Sequence, residues 1–394
     1  MTHSWPMAMR VLITSPAMLG HTQPMLPLAR AMADRGHDVL WALPASGVEE
    51  IERQGIRAVA AGPSFPIGPA LAKQRFPELN DLLPSEQPAV MFVKLWACIA
   101  APETLAGLVP VALEWRPDLV IADAAELAGH IVAAELGVPS VTKGFGPLLP
   151  EERVAAAGRE VASLWRARGL EPRPYGGAYE TMYLDSYPPL LPSAPRGHIA
   201  KVQMLRPDRD AGEVGGSALP FPEEPADAPL VYLTMGTVFN AVTPLRVAME
   251  GLRRLPVRTL VTVGPRADPA MLGEQPAHVR VERYVPQDAV LRHCDVVVSH
   301  GGSGTALGAL ALGVPQLCLP QGADQFLNAA SIASSGAGLA LLPHEATADA
   351  VAGAVGRLLS EPSFRDAAAA VRESIASMPA VEEVAAILET VCLG

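Results

Sequence analysis

Asp295-Val-Val-Val-Ser-His300-Gly-Gly-Ser-Gly-Thr305 joins a short apolar run to a glycine-rich turn. The run suits a strand buried on both faces, as in a parallel sheet. A helical pattern opens at Ser303 and continues through Ala306, Leu307 and Leu310 to Leu312. Such a turn brings backbone N–H groups and the positive end of a helix to one point, which suits an anion, usually a phosphate. Its glycines allow close backbone approach, and His300 can add a donor or a positive charge. The turn is neither G-x-x-x-x-G-K-[ST] nor G-x-G-x-x-G. Gly313-Val-Pro ends the helix, and Gln316-Leu-Cys-Leu-Pro320 reads as the next strand. Gln321-Gly-Ala-Asp324-Gln325 then puts a second polar cluster on the same sheet edge, where open α/β sheets bind ligands.

His300-Gly-Gly-Ser-Gly-Thr305, with Asp324-Gln325 downstream and Val285-Pro286-Gln287 upstream, resembles the donor site of the family 1 glycosyltransferases. The nearest likeness is to the bacterial natural-product (antibiotic) enzymes. The resemblance implies an α/β chain of GT-B fold, two Rossmann-like doubly wound domains facing each other across a cleft. Residues 1–205 would bind acceptor, 206–229 link, and 230–376 bind nucleotide-sugar. Residues 377–394 would return as a helix onto the first domain. The donor site would comprise Gly236, Thr237, Val285, Gln287, His300, Gly302, Ser303, Gly304, Thr305, Asp324 and Gln325. The turn, His300 and Thr305 would meet the diphosphate, Val285-Pro286-Gln287 the base, and Asp324 and Gln325 the sugar hydroxyls, with capping of the helix before Phe326 as their alternative role. Plant members and several bacterial ones carry a ribose-binding Glu where this chain has Gly308. That departure points away from a ribonucleotide and towards a dTDP-linked sugar, a deoxysugar above all.

Composition narrows the partners. The 394 residues are 49% hydrophobic and carry a formal net charge of −11, which argues against a nucleic-acid backbone. The four cysteines, Cys98, Cys294, Cys318 and Cys392, form no C-x-x-C pair, so neither a zinc site nor a disulfide framework is indicated. They read as reduced thiols of a cytoplasmic protein. No run of about 18 or more purely apolar residues appears, so no spanning helix is expected, and no signal-peptide pattern stands out. No metal-ligand cluster stands at the donor turn, and the family needs none, so the only small-molecule partners expected are a nucleotide-sugar co-substrate and an apolar acceptor. A homodimer or an activator protein stays open.

The first half reads as a doubly wound series. Arg10–Ser15 is a buried strand, 16–21 a loop, and Thr22 with Pro24 suits the start of a helix. Asp38–Ala42 and Ile56–Ala60 are further strands. Prolines punctuate residues 62–110, where Ala89–Ala97 reads as a helix. It is either an ordinary cover over the sheet or the wall of an acceptor pocket, with Met91, Phe92 and Trp96, and Phe145 beyond it, as apolar lining. Tyr175, Tyr179 and Tyr183 either line a pocket or pack, with packing favoured. Arg206–Pro229, rich in Pro, Gly and acids, is the linker candidate, and Leu230–Met235 restarts the β–α–β series.

Sugar transfer needs a base for the acceptor hydroxyl, and a neutral His suits the task. His21 sits at a loop-to-helix junction beyond a strand end, and Gly20-His21-x-x-Pro24 matches the family's base motif. A carboxylate would fix the tautomer of that His. The resemblance assigns this to Asp123, at the end of Pro117–Asp123; capping the next helix is its alternative role. Asp118, at the opposite edge, reads as structural. These features imply an inverting hexosyltransferase with His21 as base assisted by Asp123. A GT-B nucleotide-sugar epimerase and a catalytically silent helper are the alternatives.

Overall fold

The computed structural model describes residues 8–82, 86–207, 220–222, 227–236, 242–265 and 267–392, with the Val242 side chain set aside. The chain divides into two compact units. The first comprises Met1–Tyr187, Ala194–Asp210 and Pro379–Gly394; the second, Pro188–Ser193 and Ala211–Met378. Most of the linker candidate lies outside the described residues, as does Thr237.

The first unit is built on seven parallel strands: β1 (Arg10–Thr14), β2 (Asp38–Leu43), β3 (Arg57–Ala60), β4 (Leu119–Asp123), β5 (Ser140–Lys143), β6 (Met182–Asp185) and β7 (Val202–Met204). Their order is 3-2-1-4-5-6-7, so the direction of winding reverses between β1 and β4. Helices follow β1 to β5 because parallel neighbours need a crossover, while β6 runs to β7 through an irregular connection. One face carries Val11, Ile13, Trp41, Ile121 and Val141, packed against Leu26–Asp34 and the C-terminal helix Val381–Val391. That last helix is pinned by Glu389, which accepts two bonds from Arg35 at 2.6 and 2.7 Å and lies 3.0 Å from His37 Nε2. Asp118 is spent on structure, accepting from the Arg10 backbone N–H at 2.7 Å.

Two local readings shift. A helical turn already spans Leu19–Thr22, followed by a 3-10 turn Gln23–Met25. Thr22 is therefore not a cap; its hydroxyl donates to the Met18 carbonyl. Pro24, tolerated in the first turn of a helical segment, sits in the 3-10 turn. The helix expected at Ala89–Ala97 is longer and runs Gln87–Trp115, long and apolar enough to cross a membrane, with 50% of that window buried in the fold. Its middle, Val93–Ala100, is wound as a π-helix. Tyr175, Tyr179 and Tyr183 stack in sequence, with centroids 5.3 and 5.6 Å apart, so they pack.

The second unit repeats the plan with β8 (Leu230–Thr234), β9 (Arg258–Thr262), β10 (Val279–Glu282), β11 (Val296–Ser299), β12 (Gln316–Cys318) and β13 (Gly338–Ala340). The order 10-9-8-11-12-13 is again parallel, and its reversal lies between β8 and β11. Val231, Leu233, Val261, Val296 and Val298 fill one face, while Tyr232, Leu260 and Val297 fill the other. The all-apolar β11 is thus buried on both sides. In each unit the reversal opens a crevice at the carboxyl ends of the strands.

Candidate active site

In the first unit that crevice holds His21 and Asp123. The turn Leu19–Thr22 follows β1, and Asp123 ends β4, the strand beside it. His21 Nδ1 lies 3.0 Å from Asp123 Oδ1, and both residues are buried. Asp123 Oδ1 also accepts the Ala125 backbone N–H at 2.8 Å. The helix Ala128–Leu136 is capped instead by Glu126, whose carboxylate takes the Ala128 and Gly129 N–H groups at 2.7 and 2.9 Å. The Asp123 carboxylate is thereby fixed, and Nδ1 is the nitrogen that donates to it. Two aromatic rings flank the imidazole: Phe145 at 4.4 Å and Trp96 at 5.5 Å between centroids. Trp96 comes from the π-wound stretch, a feature frequent at functional sites. Of the four expected acceptor residues, Trp96 and Phe145 therefore stand beside His21. Met91 and Phe92 are buried, and Met91 packs with Ala72, Leu79, Leu95 and Ile99.

In the second unit the same crevice is a cradle. Gly301 takes φ 77°, a conformation glycine adopts at little strain, and Gly302 starts the helix Ser303–Ala311. The His300 ring is wedged between two glycines. A Cβ on Gly302 would lie 2.5 Å from His300 Nε2, and one on Gly236 2.6 Å from Cε1. Any side chain at either place would displace the imidazole. Burial pushes the His300 pKa down to about 4, with Asp324 pulling the other way. The ring is thus neutral at pH 7 and offers an N–H rather than a charge. The helix N-terminus beside it contributes partial positive charge without any titrating group.

Around the cradle the polar side chains hold one another. Ser303 Oγ donates to Asp324 Oδ2 at 2.6 Å, and the Asn328 amide donates to both at 2.9 and 3.0 Å. Asp324 precedes the helix Gln325–Ser335 without capping it. Ala323, at φ 53°, stores strain in the loop that presents it. The Gln325 side-chain oxygen Oε1 accepts the Gln321 and Gly322 backbone N–H groups at 2.8 and 3.1 Å, so Gln325 braces that loop. Gln287 Nε2 donates to Thr305 Oγ1 at 2.9 Å, and Val285 is buried just before it. Gly304 is exposed and Gly308 buried. Among the described residues, no three His, Cys, Asp or Glu side chains are grouped to hold a metal ion.

Sequence reasoning missed Glu126, Lys143 and Asn328. Asn328 was detectable, since it lies one helical turn after Asp324. Lys143 was not, because nothing in a strand pattern marks a buried lysine.

Two nucleotide-fold units with these two crevices define a GT-B glycosyltransferase. The chain belongs to the erythromycin biosynthesis protein CIII-like family, whose N-terminal domain matches residues 30–163 and whose C-terminal domain matches residues 247–391. It is 34% identical over 407 residues to the elloramycin glycosyltransferase ElmGT of Streptomyces olivaceus, covering 97% of each chain. The crystal structure of the glycosyltransferase SnogD from Streptomyces nogalater is similar, with TM-score 0.76 and 28% identity over 98% of this chain and 100% of that one. The glycosyltransferase VinC, solved in complex with dTDP, matches with TM-score 0.74 and 28% identity at the same coverage. The protein is a glycosyltransferase that moves a sugar from a nucleotide sugar to a natural-product acceptor.

Proposed function

We propose that this enzyme is an inverting transferase using a dTDP-linked sugar, a deoxysugar above all, and an apolar natural-product acceptor. His21 is the general base, oriented by Asp123. The observation that carries the reading is the 3.0 Å contact between His21 Nδ1 and Asp123 Oδ1. With Nδ1–H donated to the carboxylate, Nε2 carries the lone pair that takes the acceptor hydroxyl proton. The acceptor oxygen then attacks the anomeric carbon, whose bond to the diphosphate oxygen breaks. Nucleoside diphosphate leaves with that electron pair. One displacement inverts the anomeric centre, so an α-linked donor gives a β-linked product. Charge on the leaving group is met by the backbone N–H groups of Gly302, Ser303 and Gly304, the helix N-terminus, the Thr305 hydroxyl and the His300 N–H. Asp324 accepts from sugar hydroxyls. Phe145 and Trp96 offer apolar, water-excluding surface beside the base, which suits a flat or greasy acceptor. VinC having been solved with dTDP supports the nucleotide choice, as does a buried glycine at Gly308. No cofactor beyond the sugar donor is needed for these steps.

The test is incubation of purified protein with a dTDP-deoxysugar, with and without a panel of polyketide-type aglycones. Product formation only with aglycone, of inverted configuration, supports the reading. Isomerised donor in the absence of aglycone, or retained configuration, refutes it.

A further inference from the structure

Asp123 poses an electrostatic difficulty for a base. A fully buried carboxylate beside an imidazole stabilises the imidazolium, yet a base must be neutral before it acts. The surroundings of Asp123 contain a compensating charge. Lys143 is the direct register partner of Asp123 across β4 and β5. Partners in adjacent strands project to one face of the sheet. Both side chains are buried, Asp123 at 0% and Lys143 at 1% exposure. Lys143 Nζ donates to the Gly144 carbonyl at 2.6 Å and to Ser186 Oγ at 2.8 Å. Asp123 Oδ2 has no hydrogen-bond partner, so the lysine acts on this carboxylate through space and not by a direct bond.

The other charged groups nearby are already matched. Asp185 accepts from Arg196 Nε at 2.7 Å and from the Tyr187 N–H at 2.8 Å. Glu126, on the helix after β4, is engaged in its cap, and burial pushes its pKa up to about 7. Burial keeps Tyr179 and Tyr183 neutral and lowers His130 to about 4. Lys143 is lowered to about 8 by burial, with Asp123 and Asp185 opposing, so it is still charged at pH 7.

We propose that Lys143 is a positioning residue for the base, its buried ammonium offsetting the Asp123 carboxylate so that the His21 imidazole stays neutral at working pH. The proposal rests on the reading of His21 as base and adds a determinant of its proton affinity. A lysine ammonium buried under a sheet edge costs desolvation that an apolar residue would avoid; its electrostatic task accounts for its presence.

The experiment is an NMR titration of the His21 ring carbon, assigned with His21→Ala, in wild type, Lys143→Met and Lys143→Arg. The pH profile of kcat/KM is measured on the same proteins. Loss of the positive charge moves the His21 midpoint up by about one pH unit, and the acid limb of kcat/KM moves with it. Lys143→Arg restores both. A purely structural lysine would lower kcat at every pH and leave the midpoints in place; an unmoved His21 midpoint in folded Lys143→Met overturns the proposal. Lys143→Gln keeps polar contacts and serves if the Met variant does not fold. If neither folds, wild type decides: a second inflection of the His21 signal near pH 8, where Lys143 titrates, supports the coupling, and its absence overturns it. A His21 midpoint that moves while the rate profile stays put supports the coupling and overturns His21 as base.

Discussion

The six-stranded sheet repeats the order of the first six strands of the seven-stranded one, and both place their candidate site residues at the same topological point, yet the two crevices differ electrically. At β1 and β4 the crevice carries a side-chain carboxylate against an imidazole, with Lys143 and Glu126 buried behind them. At β8 and β11 it carries backbone N–H groups and an imidazole that burial keeps neutral. The contrast follows from what each would handle. Moving a proton needs groups whose charge can change. Holding a diphosphate needs fixed dipoles that neither titrate nor collapse when the ligand leaves. His21 and His300 are the same residue type in opposite settings. One is hydrogen-bonded to an acid; the other is squeezed between Gly236 and Gly302.

The comparison breaks first at His21. Substitution His21→Ala is expected to lower kcat by about 10²–10⁴ with dTDP affinity unchanged, as read by steady-state kinetics and calorimetry. Asp123→Asn moves kcat in the same direction by less. Near-normal turnover in His21→Ala would remove the proton-handling role from the first crevice.

The cradle is tested by Gly302→Ala. Gly302 has an ordinary helical-cap backbone, so the added methyl acts only by its clash with the His300 ring. Loss of one hydrogen bond to a charged phosphate is worth about 1.5–3 kcal/mol, or about 10–200-fold in kcat/KM. The pH profile set by the first crevice should not change. A Gly302→Ala enzyme with wild-type donor KM would show that His300 does not touch the donor.

A smaller effect concerns the nucleotide. With Gly308 where plant and several bacterial family 1 glycosyltransferases are expected to carry a ribose-binding Glu, dTDP-sugars should be used better than UDP-sugars of the same hexose, by about tenfold, the equivalent of one weak hydrogen bond. Equal or better use of the UDP donor in competition kinetics would sink this. EDTA treatment is expected to leave the rate unchanged if the cradle, as proposed, meets the diphosphate with dipoles; loss of rate restored by magnesium would assign that charge to a metal.

The smallest effect is on stability. His130 has its folded pKa depressed to about 4, so its contribution is full above the unfolded value near 6.5 and declines as pH falls towards 4. Glu126 has its folded pKa raised to about 7, so its contribution is full below the unfolded value near 4.5 and is lost as pH rises through 7. The two oppose each other between pH 7 and 5 within the first unit. Glu126→Gln removes only the second, so its melting temperature should fall more steeply than wild type from pH 7 to pH 5. Parallel curves would contradict the shifted Glu126 titration.

Much of this was legible in the order of residues. β11 is short and wholly apolar because it is buried on both faces, and a glycine turn followed by a helical period identifies the cradle by local physics alone. Gly20-His21-x-x-Pro24 and an acid closing β4 could be seen as motifs. Their meeting could not be read so directly, because 102 residues separate them and only the parallel pairing of β1 with β4 brings them together. Local signals misplaced the start of the helix at Thr22, since the Leu19–Thr22 turn carries no capping side chain to announce it. The sequence by itself determined two doubly wound β–α–β series and the glycine-rich turn, because strand burial, turn chemistry and helix periodicity are properties of neighbours in the chain; the GT-B arrangement and the residues beside His21 were implied by the resemblance to the family 1 glycosyltransferases. Only the tertiary structure decided the charge state of His300, the pairing of Ser303 with Asp324 and Asn328, the rings beside His21, and Lys143 as the register neighbour of Asp123. Desolvation and hydrogen bonding at those places come from residues distant in sequence, brought together when the sheets form.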